Sequence, residues 1–114
     1  MILPADPRRL AVDLLPRSRC AVQVAAVIAD SFGIFSWGHN HMGFDGLGMH
    51  AEHDAIRRAN KRRLLHSTIF VAARRHGSIT SRPCEACLKR LRGWKVRWMV
   101  WRDKDGKWVT ELLA

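Results

Sequence analysis

Four residues of this 114-residue chain have the types and spacing to do chemistry together: His50, Glu52, Cys84 and Cys87. Cys84 and Cys87 stand at i and i+3, so on a helix their sulfurs face the same way. Pro83 precedes them and suits a helix start, where its missing N–H costs nothing. The free N–H groups and the dipole of a first turn favour thiolates over thiols. Two thiolates and the His50 imidazole make three protein ligands for a tetrahedral zinc ion, Zn2+, with the fourth position left for water. Zinc lowers the pKa of such a water to roughly 7, so hydroxide is available at neutral pH. Glu52 lies two residues from His50, near the metal but on a different bearing, and suits proton transfer to and from that water. A purely structural site would take His53, i+3 from His50, as its fourth ligand; it needs no Glu52. A redox C-x-x-C pair would leave both His50 and Glu52 without a role.

These residues need two helices that start next to each other. Pro4, Pro7 and Pro16 restrict the first helix to about Arg8–Leu15. Ala21–Ala29 reads as a buried strand, Asp30–Gly33 as a turn and Ile34–Gly38 as the hairpin partner. A glycine-rich loop, Met42–Met49, leads to a helix expected over His50–Arg63. Its apolar face is Ala51, Ala55, Ile56 and Ala59; Arg57, Arg58, Lys61 and Arg62 lie opposite. Thr68–Ala73 is a strand, Arg74–Arg82 a polar loop and Cys84–Leu91 a helix closed by Gly93. Val96–Trp101 is a strand, with Trp98 expected in the core. Trp108–Leu113 is a further strand or a terminal helix. Only Arg102–Lys107 separate it from the strand before, too few residues for a parallel crossover. As a strand it must pair antiparallel, through a turn at Asp105–Gly106. Strands and helices alternating after a hairpin mean a mixed sheet with helices packed on it.

The length suits one domain. We read residues 1–16 as an N-terminal segment with a short helix and 17–114 as the domain proper. Lys and Arg number 20 against 10 Asp and Glu, a formal net charge of +10, yet 47% of residues are hydrophobic. That combination excludes a disordered basic tail and implies a phosphate-bearing partner. No apolar stretch reaches the ~20 residues of a membrane span, and no signal peptide is evident, so no membrane partner is expected and the location expected is cytoplasmic. Three cysteines, one unpaired in the pattern, speak against a secreted disulfide scaffold.

The order H-x-E…P-C-x-x-C, with thirty residues between Glu52 and Pro83, is the signature of zinc-dependent nucleobase deaminases. Arg17-Ser18-Arg19-Cys20, Val24–Ile28, Gly38-His39-Asn40, His50–Ile56 and Pro83–Cys87 together resemble a CMP/dCMP-type deaminase domain of the cytidine deaminase superfamily, over about residues 17–101. The resemblance implies a three-layer α/β/α fold on a five-stranded sheet. It implies His50, Cys84 and Cys87 as zinc ligands and Glu52 as the catalytic acid and base. Asn40 matches a family asparagine that contacts sugar or base, and the Ala51 N–H is placed to hold the pyrimidine carbonyl. The resemblance also implies a homo-oligomer as a partner state. The short last connection matches the free-nucleoside branch and some toxin deaminases rather than the nucleotide-specific dCMP enzymes.

The expected reaction is hydrolysis of cytosine to uracil, in a nucleotide or in single-stranded DNA or RNA. Free cytidine, deoxycytidine or dCMP is the alternative substrate, and a non-catalytic zinc domain that binds nucleic acid is the alternative class. Arginine supplies fifteen of the 20 basic residues, and its fork suits phosphate. Arg82, directly before Pro83, is a candidate substrate contact. Arg74, Arg75, Arg102, Lys104 and Lys107 fall in loops at strand ends, where ligands of open α/β sheets gather, and are candidate nucleic-acid contacts. Trp37, Phe44, Trp101 and Trp108 are each core residues or a stacking wall for a base.

Overall fold

The computed structural model describes residues 5–42, 48–75 and 80–113. Helix α1 (Pro7–Leu14) is capped by Asp6, whose carboxylate accepts from the Arg8 N–H at 2.9 Å, and a 3-10 turn (Leu15–Arg17) prolongs it. Strands β1 (Gln23–Asp30) and β2 (Gly33–His39) form the expected hairpin. Its turn needs Gly33 at φ +117°. Short strands β3 (His41–Met42) and β4 (Gly48–Met49) pair with each other and lead into helix α2 (Ala51–Arg58). Strand β5 (Thr68–Arg74), helix α3 (Glu85–Gly93), and strands β6 (Trp98–Arg102) and β7 (Trp108–Leu112) complete the chain.

The five long strands lie in the order β2-β1-β5-β6-β7. The pair β5–β6 is parallel and every other pair antiparallel, so the sheet is mixed and its last strand antiparallel as expected. Helices α2 and α3 cover one face through Ala55, Ile56, Leu88 and Leu91, packed on Ile28, Ile69, Val71 and Met99. Helix α1 covers the other face through Ala11 and Leu14, packed on Ala25, Val27 and Ala72. The result is the three-layer α/β/α fold. No helix among the described residues is long and apolar enough to cross a membrane.

Four expectations need correction. The helix expected over His50–Arg63 stops at Arg58. Ala59 is extended at φ −77°, ψ 151°, and the Asn60 side-chain oxygen caps a separate 3-10 turn (Lys61–Arg63) by accepting from the Arg62 N–H. An asparagine that satisfies backbone donors locally offers the chain an alternative to the helix. Gly93 does not close α3 by a left-handed step; that step falls on Lys95, at φ 63°. Pro83 stands before the cap of α3 rather than inside its first turn. Finally, Trp98 is 37% exposed rather than core. Met99 and Trp101 face α2 and α3, which turns Trp98 to the α1 face, and α1 packs mainly on β1 and β5, at the other side of the sheet's centre from β7. Gly43, Phe44, Gly46 and His76 lie outside the described residues.

Candidate metal centre

Strands β2, β5 and β6 all end at one edge of the sheet, and the helix starts of α2 and α3 meet above it. His50 caps α2 with an extended backbone (φ −72°, ψ 148°), and Cys84 caps α3 likewise (φ −73°, ψ 168°). Their carbonyls accept the first helical bonds, from Asp54 and Leu88, both at 2.9 Å. The start of α2 is seated by Gly38: a Cβ there would stand 2.6 Å from the Ala55 nitrogen. The loop before α3 is seated by Ser81. Its hydroxyl donates to the Val71 carbonyl and accepts from the Arg102 N–H, both at 2.7 Å, and so ties β5 to β6.

This framework brings the His50 Nδ1 to 3.2 Å from Cys87 Sγ and 3.7 Å from Cys84 Sγ, with all three ligand atoms within 4.8 Å of one another. Tetrahedral zinc bonds of about 2.0–2.1 Å to nitrogen and about 2.3 Å to sulfur separate such atoms by roughly 3.6 Å. The donor set therefore fits zinc in both chemistry and spacing. Burial, and next to it the Glu52 charge, pushes the Cys87 thiol up. A divalent ion among the three atoms reverses that preference, since a coordinating thiol is held deprotonated. His53 is not among the converging atoms; with Gly48, Ala86 and Arg90 it lines a separate hollow beside His50 and Cys87.

A cleft of about 220 Å³ opens beside His50 and Cys84. Val22, Val24 and Ala73 give it apolar walls, and Asn40, Glu52 and Arg82 give it polar ones. Ala51, the first residue of α2, also lines it, and an N–H at that position has no helical partner. Glu52 is 5% exposed; burial raises its carboxyl above the ordinary carboxylate value, against lowering by its own backbone N–H, the Cys87 thiol and His50.

Asn40 is pinned on three sides. Its Oδ1 accepts from the Ser18 hydroxyl at 2.6 Å and the Val24 N–H at 2.9 Å, and its Nδ2 donates to the Val22 carbonyl at 2.7 Å. A backbone N–H can only donate and a carbonyl only accept, so the orientation of the amide is fixed, and its one free valence is an N–H. Asp54, fully buried, ties α2 to the end of β2. Its carboxylate accepts from the His39 N–H at 3.2 Å, from Arg57 at 2.9 Å and from Arg58 at 3.2 Å. Burial pushes the Asp54 carboxyl up, but the bonds from Arg57, His39 and Arg58 outweigh it and the net shift is down.

Among the expected contacts, only Asn40, Ala51 and Arg82 border the cleft. Arg82 Nε and Nη2 each lie 3.2 Å from the Glu111 carboxylate of β7. Arg74, at the end of β5, donates to Gln23, and Arg102 lies 5.5 Å over the Trp108 ring. Arg75, Lys104 and Lys107 are exposed at the same edge of the sheet. Sequence reasoning missed Ser18, Ser81, Asp54 and Glu111. Of these, only Asp54 had a local signal, lying four residues beyond His50 on the same helix side.

The family model for the cytidine and deoxycytidylate deaminase zinc-binding region matches residues 8–102. Among solved structures, the chain is similar to a cytidine deaminase from Burkholderia pseudomallei at TM-score 0.74 and 20% identity. It is also similar to a cytidine deaminase from Mycobacterium leprae at TM-score 0.67 and 16% identity. Each match covers 94% of this chain and 90% of the other. No curated protein matches the chain by sequence.

Proposed function

Because the chain belongs to the cytidine and deoxycytidylate deaminase zinc-binding family, and so is a zinc-dependent deaminase, we propose that it converts cytosine to uracil within single-stranded nucleic acid. One observation carries the choice of substrate. Among the described residues the cleft holds one cation, Arg82, and Glu111 already neutralises it. A free nucleotide needs a charged partner for its phosphate inside the cleft. A strand presents its phosphates outside, where Arg75, Lys104 and Lys107 stand exposed.

His50, Cys84 and Cys87 would hold the zinc, which when bound supplies a Lewis acid that makes water nucleophilic at neutral pH. The base enters between Val22, Val24 and Ala73, with its carbonyl oxygen on the Ala51 N–H. Asn40 donates its free N–H to an acceptor on the sugar or base. Glu52 accepts a proton from the attacking water and passes it to the ring nitrogen beside the amino carbon. A second transfer through Glu52 protonates the amino group. The carbon–oxygen bond forms, the carbon–nitrogen bond breaks, and ammonia leaves. A carboxyl raised by burial suits a group that must both take and give a proton near neutral pH.

Free cytidine is the second reading, favoured by the same lack of an unpaired cation in the cleft. The test is incubation of zinc-loaded protein with cytidine, dCMP, and single-stranded DNA and RNA, with uracil measured by mass spectrometry. Turnover of a strand that falls steeply with salt is the expected result. Turnover of cytidine alone, insensitive to salt, would establish the second reading instead.

A further inference from the structure

The end of the sheet remote from the cleft carries a second concentration of positive charge, and it is interleaved with aromatic rings. The chain from Arg92 to Trp98 crosses this end, between α3 and β6. Two backbone bonds seat it: the Lys95 carbonyl accepts from the His66 N–H at 2.8 Å, and the Arg97 N–H donates to the Ser67 carbonyl at 2.8 Å. Both His66 and Lys95 sit at φ 63°. A left-handed backbone is disfavoured for residues other than glycine, so the loop is held in this shape against its intrinsic preference. It displays Trp94, 43% exposed, at the end of α3, and Trp98, 37% exposed, at the start of β6 on the α1 face of the sheet, so the two rings flank this end of the sheet from its two sides. Lys95 and Arg97 lie exposed between the two rings, Arg92 is exposed before them, and the Lys61 ammonium stands 6.0 Å from the Trp94 ring. None of these four cations makes an ion pair among the described residues.

We propose that this surface binds single-stranded nucleic acid, separately from the cleft. Bases stack on exposed rings whatever their identity, and unpaired cations meet the phosphates between them. Along the chain, Trp94, Lys95, Arg97 and Trp98 supply ring, charge, charge and ring over five residues whose ends lie at most about 14 Å apart, short enough for one strand passing over this end of the sheet to reach both rings. An anionic membrane is served by an amphipathic helix that buries a broad apolar face, and this surface is a tight loop. The strand bound here need carry no cytosine, so the inference stands apart from the choice of substrate.

The experiment uses the full zinc-loaded chain and a fluorescent oligothymidylate, which offers no cytosine to react. Binding is followed by anisotropy and by tryptophan quenching over a salt series. The Lys95→Gln/Arg97→Gln double variant is expected to bind about tenfold more weakly at ~0.1 M salt. The slope of log affinity against log salt should flatten by about 1.4, at about 0.7 per lost phosphate contact. Trp98→Leu keeps an apolar side chain but removes the stack, and should weaken binding about tenfold and reduce the quenching. Unchanged melting temperature and zinc content certify that the variants fold. The inference is overturned if the parent protein does not bind oligothymidylate, or binds phosphatidylserine vesicles in its place. It is equally overturned if these variants bind as the parent does while Arg75→Gln/Lys104→Gln loses binding. Failure of the substrate reading has a different signature: the strand binds, but cytosine within it is not deaminated.

Discussion

The Ser18 hydroxyl donates to Asn40 Oδ1 across 2.6 Å, although the two residues are 22 positions apart. The same hydroxyl accepts from the Cys20 N–H at 3.2 Å, which directs its proton toward Asn40. Ser18, 2% exposed and away from the reacting atoms, thus acts as a positioning residue for an amide that borders the cleft.

Ser18→Ala is expected to raise KM about fivefold with little change in kcat, the loss of one buried hydrogen bond of ~1 kcal/mol. Ser18→Thr, which keeps the hydroxyl, should restore most of the loss. Titration with the uracil product should show the same ranking without turnover. Equal defects in the Ala and Thr variants would reduce Ser18 to a packing residue.

Glu52→Gln should lower kcat about a thousandfold or more while metal analysis still finds one zinc per chain. Cys84→Ser should lose most of the metal, and His53→Ala should keep it, because the His53 ring lies outside the converging set. Zinc lost on the His53 change would instead mark a structural site.

Gly38→Ala places a methyl 2.6 Å from the Ala55 nitrogen and 2.9 Å from the Asp54 side chain. Backbone cannot yield as a flexible side chain does, so α2 must move. We expect a loss of about 3 kcal/mol in a denaturant melt and weaker zinc binding, since His50 moves with the helix.

Asp54 gives stability a dependence on acid. Its folded carboxyl lies below the ordinary value of 3.8, so its contribution is present above that value and lost as pH falls through the folded value. Asp54→Asn should therefore cost about 2 kcal/mol near pH 7. Urea midpoints of the variant and the parent should converge as the pH falls from 3.8 through the folded value of Asp54. A gap that stays constant down to the acid unfolding of the parent would show that the carboxylate charge contributes nothing.

The metal ligands were legible because their spacing carries the geometry: i and i+3 for the thiols, and a helix start after a strand for each motif. The antiparallel direction of the last strand was legible, though not that the segment is a strand rather than a helix, because six residues cannot make a parallel return. Trp98 was misread because alternation says which residues share a face, not whether that face is covered. The α2 boundary was misread because the apolar spacing runs on to Ala59, while Asn60 satisfies a backbone donor of its own 3-10 turn. Ser18, Ser81 and Glu111 act on partners 10 to 29 residues away, and no local pattern encodes such a pairing.

The antiparallel return of β7 decides which end of the molecule can be tethered. It carries the chain away from the cleft, and the Leu113 N–H donates to the Arg97 carbonyl at 2.7 Å. A linker or dye joined there stands a strand's length, about 17 Å, from the edge where the helix starts meet. Immobilising the protein by that point leaves the catalytic mouth facing solution and crowds the loop that bears Lys95 and Arg97. A single attachment site thus separates the two surfaces experimentally, without altering a residue of either.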